Sequence, residues 1–313
     1  CTSNLPAVAV TPSEHFNTIL HSTANGYSHT GVGFQPDLIW SKSRSNTYDH
    51  GLFDSVRGAN KWLRSNTNDA EVTPDSGFDL LSFDSDGFTV GNNQYNTICA
   101  SGDYVVWNWK AGGSGSSNED GTINTIATSA NVDAGFSIST YQGTDTNNAT
   151  VGHGLSKAPE LVIIKDYYAS GNWEVYEAST DNRYQLNNDS GGSDDFDINY
   201  GTNPSATVVN LVSGASIGRN PDTYVMYCWH SVDGYSKVGG YTGNDNDNGP
   251  FVYTGFRPAY VMIKKNNASS DWQIIDTARN TYNPIDDYIA SNSSSAELVD
   301  SGDMGVDSVA NGF

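Results

Sequence analysis

Pro36-Asp-Leu-Ile-Trp-Ser-Lys42 returns as Pro159-Glu-Leu-Val-Ile-Ile-Lys165 and again as Pro258-Ala-Tyr-Val-Met-Ile-Lys264. Each copy runs from a proline through β-branched or aromatic residues to a lysine six positions on. The residues beyond keep step. Eight positions past the lysine stand His50, Trp173 and Trp272; twelve past, Asp54, Glu177 and Asp276; fifteen past, Arg57, Thr180 and Arg279. Registers held without a gap over this distance mark an internal repeat. Proline at the head of a strand removes no ladder hydrogen bond, and a near-continuous apolar run fits a strand covered on both faces. The spacing predicts three equivalent strands with Leu38, Leu161 and Tyr260 at matching positions. A polar turn follows each, centred near Asn46, Ala169 and Ala268. Folding back there sets Lys42 opposite His50, Lys165 opposite Trp173 and Lys264 opposite Trp272, each lysine stem lying over its neighbour's ring.

Outward from these hairpins the pattern remains one of short strands. His15 to Leu20, Gly135 to Tyr141 and Gly234 to Tyr241 read as the opening strands of the three units. Asp84-Ser-Asp-Gly-Phe-Thr-Val90 reads as a turn into a strand. Asp103 to Trp109 and Asp222 to Trp229, with alternating aromatics, read as closing strands. The expected layout is a lead-in over 1–13, β-sandwich units over 14–110, 133–232 and 233–313, and a Gly/Ser linker over 111–132 whose Ala111-to-Asn118 stretch is flexible. Units two and three, almost without a spacer, are expected to pack together and leave unit one freer. With turns every eight to twelve residues or so and no amphipathic helix, the fold class is all-β: tandem antiparallel β-sandwich repeats, jelly-roll or lectin-like. The third unit stops at Asn311-Gly-Phe313, the counterpart of Asp86-Gly-Phe88, before any closing strand. It is expected to be finished by a continuation of the chain or by a strand from a neighbour.

Composition agrees with strands and turns: 32 Gly, 18 Tyr and 7 Trp in 313 residues, with 16% charged. A net charge of −21 and thinly spread Lys and Arg argue against nucleic-acid binding. No apolar run is long enough for a membrane helix, and no signal-peptide layout opens the chain. Cys1, Cys99 and Cys228 occupy unrelated places in the repeat and imply neither a disulfide framework nor a metal site.

Chemistry is hard to find. Glu174 and Glu177 are the nearest approach to a glycosidase pair, but three positions apart on a strand they face opposite sides of the sheet. His15, His21, His29, His50, His153 and His230 show no zinc spacing, and no Gly-x-Ser-x-Gly elbow occurs. Asp84-Ser-Asp86-Gly and Asn244 to Gly249 resemble the start of a calcium loop without its closing glutamate, and Asx-Gly turns produce such strings for backbone reasons. Asn148, Asn267 and Asn292 head glycosylation sequons, relevant only in a eukaryotic secretory pathway. No catalytic, cofactor-binding or metal residue is therefore assigned, no cofactor is expected, and the chain is read as no enzyme. Aromatic residues remain as a binding signal. Trp107, Trp109, Tyr227 and Trp229 alternate in strands, so half must be core, whereas Tyr48, Tyr95, Tyr167 and Tyr168 sit in loops where rings could stack on sugars.

Phe34-Gln-Pro-Asp-Leu-Ile-Trp-Ser-Lys42 with Tyr48-Asp-His-Gly-Leu-Phe-Asp54, Ser82 to Val90, Gly152-His-Gly-Leu155 and Asn248 to Pro258 resemble the tandem lectin-like (concanavalin-like) β-sandwich repeats of virion proteins from tailed marine phages and cyanophages. The resemblance runs from about His15 onward. It implies a virion structural protein of the tail-fibre or appendage type, extracellular on the virion, attaching to host surface glycans. Implied partners are other virion proteins and further copies of the chain, three in a fibre, with no nucleic acid and no membrane insertion. It transfers no catalytic residue, because the matching positions are core and turn positions. Two other readings stand beside it: purely architectural capsid or tail decoration, and a secreted carbohydrate-active enzyme or its binding module.

Overall fold

The computed structural model describes residues 10–22, 25–180, 182–192, 202–211, 216–246, 248–299 and 305–313. Among these the chain is all-β, with a single 3-10 turn at Pro12–Glu14. The first repeat contributes β1 (Phe16–His21), β2 (Ser28–Thr30), β3 (Leu38–Ser43), β4 (Gly51–Asp54), β5 (Leu80–Asp84), β6 (Gly87–Val90) and β7 (Tyr104–Trp109). The second contributes β8 (Ala127–Asn131), β9 (Phe136–Gln142), β10 (Ala149–Gly152), β11 (Leu161–Asp166), β12 (Trp173–Glu177), β13 (Asn182–Gln185), β14 (Val208–Leu211) and β15 (Thr223–Trp229). The third contributes β16 (Tyr260–Ile263), β17 (Gln273–Asp276) and β18 (Ile289–Ala290).

The proline-led runs are β3, β11 and β16, each paired antiparallel with the strand that returns from its turn. Their registers coincide: Leu38 faces Asp54, Leu161 faces Glu177 and Tyr260 faces Asp276. The predicted pairing of Lys165 with Trp173 is present, and continuing the ladders of the other two hairpins by one residue sets Lys42 beside His50 and Lys264 beside Trp272. The lysine stems do not serve as exposed covers for rings. Lys42 and Lys165 are wholly buried, and their ammonium groups close the turns instead. Lys42 Nζ donates to Ser43 O (2.7 Å) and Lys165 Nζ to Asp166 O, while Lys264 Nζ reaches Ser270 O at 2.8 Å. A buried ammonium needs hydrogen-bond acceptors more than it needs a ring face, and the carbonyls of a tight turn supply them.

Closing strands β7 and β15 lie on the other edge of β3 and β11, and opening strands β1 and β9 pair with β7 and β15 in turn. Sheet β1-β7-β3-β4 packs against β2-β6-β5 through Ile39, Phe53 and Val106 on one side and Leu80, Phe88 and Val90 on the other. The turn ahead of β6 depends on glycine: Gly87 has φ +150°, and a Cβ there would sit 1.9 Å from His29 O. In the second repeat the six-stranded sheet β13-β12-β11-β15-β9-β8 is covered by β10-β14 in the same way, through Val162, Ile164, Met226, Val151 and Val209.

The opposite faces of the main sheets meet in one core built from all three repeats. Leu38, Trp40, Trp107, Ile163, Trp173, Tyr227, Trp272 and Ile274 belong to it. This explains the unbroken burial of β3 on both faces. Units two and three pack together as expected, Trp272 Nε1 donating to Gln185 O, but the expectation that unit one is freer is corrected: the first repeat touches both others. The stretch 111–118 is likewise tied down. Asp37 Oδ2 accepts from the Ala111 and Gly113 amides, Gly112 N donates to Ser129 Oγ, and Ser116 pairs with Thr128 along the edge of β8. Gly234 to Tyr241, expected as an opening strand, forms none. Its counterparts β1 and β9 are held by β7 and β15, and no closing strand stands beside β16 among the described residues.

Candidate functional site

The residues that keep register with the lysines are consumed by contacts between repeats, and those contacts close a ring. Trp173 Nε1 of the second repeat donates to Arg64 O of the first (2.7 Å). Trp272 Nε1 of the third donates to Gln185 O of the second (3.1 Å). His50 Nε2 of the first meets Ala290 O of the third (3.0 Å). Because Trp40 Nε1 donates to His50 Nδ1 (2.9 Å), the imidazole is neutral with its proton on Nε2, where Ala290 O accepts it. Burial, then the charge of Lys42, pushes His50 down to about 3.

The repeated acids are spent in the same ring. Asp54 accepts from the Arg57 amide and from Arg57 Nε (2.6 Å), and Arg57 also binds Glu71 (2.9 Å) and Leu52 O. Asp276, Arg279, Glu297 and Ile274 O repeat that arrangement. Each acid takes one more hydrogen bond from another repeat: Tyr227 OH donates to Asp54 Oδ2 (2.7 Å) and Trp107 Nε1 to Asp276 Oδ2 (3.0 Å). Burial of the Arg57 guanidinium opposes its charge, but Asp54, Tyr227 and Glu71 together hold its pKa above the ordinary value. The second repeat differs: Glu177 accepts from Ser179 and Thr180 instead of an arginine.

Glu174 is buried and bound by Arg183 at 2.5 Å, by Gln185 and by Ser216, whereas Glu177 turns to its own turn residues. The structure thus does not bring the two together as a facing pair. Asp86 accepts from the Gly31 and Gly33 amides, and Asp84 from Ser82 and Thr89 hydroxyls, so the calcium-like string serves a hairpin. Among the described residues no three His, Cys, Asp or Glu side chains gather as metal ligands. His21 lies between His29 (4.2 Å between ring centres) and Tyr104, which stacks on it at 5.3 Å. Burial lowers His29. Cys99 and Cys228 are buried free thiols, and burial raises both, Cys99 to about 12. Thiols so placed are inert.

Two surface features remain. Residues 112 and 114–118, with Thr128, Ala130 and Gly154, line an open polar groove of about 490 Å³. Gly112 and Gly115 make it possible, because a Cβ at either would meet the backbone of Ala130 or Thr128 at 2.8 and 2.7 Å. The sequence signal was the Gly/Ser composition, which reads equally as a linker. Of the loop aromatics, Tyr168 is the more exposed at 64%, while Tyr95 is 38% exposed and its ring leans on Trp62. Tyr48 is half-buried and Tyr167 packs against the shared core. Tyr27 and Tyr282, not singled out by sequence, are exposed. Trp107 and Tyr227 are core, with Trp109 and Trp229 packed against it.

Neither a curated protein nor a solved structure shows significant similarity to the chain. A family model described as a domain of unknown function (DUF7483) matches residues 11–313. The match spans the ring of repeats and the groove alike, and the chain belongs to the DUF7483 family.

Proposed function

We propose that the chain is a structural module of a phage virion surface, built of lectin-like sandwich repeats and attaching to host glycans, with no catalytic role. The observation that carries the structural part is the ring itself. Asp54, Asp276, Arg57, Arg279 and the indoles of Trp107, Trp173 and Trp272 are buried between repeats, where they fix geometry. The virion setting rests on the resemblance of the repeated motifs. Glycan attachment rests on the groove over 112–118, whose hydroxyls, amides and exposed backbone suit a hydroxylated ligand, and on the open ring of Tyr168. A glycan array tests this reading, with Ser114→Trp, which fills the groove from an exposed position, as the companion variant. Binding that the variant abolishes supports attachment at the groove. Silence across the array leaves the architectural role, in which the same rigid ring decorates a capsid or tail.

A further inference from the structure

The edge of β16 away from β17, unpaired among the described residues, is where the ring departs from its own symmetry. β3 is flanked by β4 and β7, and β11 by β12 and β15, whereas β16 pairs only with β17 among the described strands. Antiparallel ladders alternate their hydrogen bonds between the two edges. Thr277 N donates to Ala259 O, so Ala259, Val261 and Ile263 turn toward β17, and the amides and carbonyls of Tyr260, Met262 and Lys264 turn away from it. Burial tells the same story: every residue of β3 is buried, every residue of β16 only half-buried.

We infer that this edge is an acceptor for one antiparallel strand from a polypeptide segment outside residues 1–313, carrying the alternating aromatic pattern of β7 and β15. The two filled edges define the register. Trp109 lies opposite Leu38 and Trp107 opposite Trp40; Trp229 lies opposite Leu161 and Tyr227 opposite Ile163. The incoming strand therefore sets one aromatic opposite Tyr260 and a second opposite Met262. Ring order fixes the target of the second. The closing strand of the second repeat serves the acid of the first, and that of the first serves the acid of the third. A strand closing the third repeat delivers its aromatic to Glu177 of the second. It also gives Gly234 to Tyr241 the partner that β1 and β9 have.

The test adds the peptide Asp103–Lys110, the chain's own closing strand, to the 313-residue protein and follows amide hydrogen exchange. Slowing by about tenfold or more at Tyr260, Met262 and Lys264, with Val261 and Ile263 unchanged, is expected. Replacing the residue equivalent to Trp107 in the peptide by alanine should weaken binding by about tenfold or more. Met262→Pro removes an amide aimed at the open edge while sparing the β17 bonds, a substitution edge strands tolerate, and should abolish peptide binding. The inference is overturned if those amides are already as protected as Val261 in the peptide-free monomer, or if the edge is filled by self-association of the 313-residue chain. Peptide binding indifferent to both substitutions also overturns it.

Discussion

Trp107 donates its indole hydrogen to Asp276 at 3.0 Å, joining residues 169 positions apart in the chain, and Tyr227 makes the equivalent bond to Asp54 at 2.7 Å. Both donors stand at the same place in a closing strand and both acceptors at the same place in a hairpin. One design is therefore used twice around the ring.

Removing the donor while keeping most of the volume isolates that bond. Tyr227→Phe and Trp107→Phe should each destabilise the protein, Tyr227→Phe by about 1–3 kcal/mol because a buried carboxylate loses a partner, and Trp107→Phe by more because volume is lost as well. Urea unfolding of the two variants measures this; a Tyr227→Phe protein as stable as the parent would mean that the bond contributes nothing.

Breaking the buried ion cluster is costlier. Arg57→Met leaves Asp54 and Glu71 without their cation and should cost about 3–5 kcal/mol. Lys61→Met, which removes a partly exposed partner 3.6 Å from the same Glu71, should cost no more than about 1 kcal/mol. Equal losses from the two substitutions would contradict the assignment of Arg57 as the central cation.

Position 50 holds histidine where the other two repeats hold tryptophan, and a larger neighbour compensates for it. Trp40 with His50 replaces the pairs Ile163 with Trp173 and Met262 with Trp272. His50→Trp alone should overpack the shared core by about 1–3 kcal/mol. Adding Trp40→Ile should recover at least about 1 kcal/mol of that, a coupling read from a double-mutant cycle; strict additivity would show that the two positions do not share volume.

His50 also predicts a pH dependence. Its folded pKa of about 3 lies below the unfolded value of about 6.5, so between those values the unfolded state binds the extra proton and stability falls as pH falls. From pH 7 to pH 5 this residue alone should remove about 2 kcal/mol. Denaturation midpoints for the parent and His50→Gln across that range separate this part from the rest, and parallel pH profiles would refute it.

The hairpins and their register were legible in the sequence because a strand's side chains alternate and a two-strand turn fixes which residues meet. Leu38 opposite Asp54 and Lys165 opposite Trp173 follow from counting. The burial of β3 and β11 on both faces followed from their unbroken apolar runs, whereas β16 carries the same kind of run and is only half-buried. The sequence could not say what covers the second face. Local spacing carries no information about partners 87 and 109 residues away, so Trp272 on Gln185 O and Trp173 on Arg64 O became visible only in the closed ring. The Gly/Ser stretch over 112–118 misled for the same reason: a flexible linker and a backbone packed close against Thr128 and Ala130 both require residues without side chains, and only the neighbour distinguishes them. Gly234 to Tyr241 had the pattern of a strand and formed none. A strand's hydrogen bonds belong half to its partner, and that partner is a property of the tertiary structure.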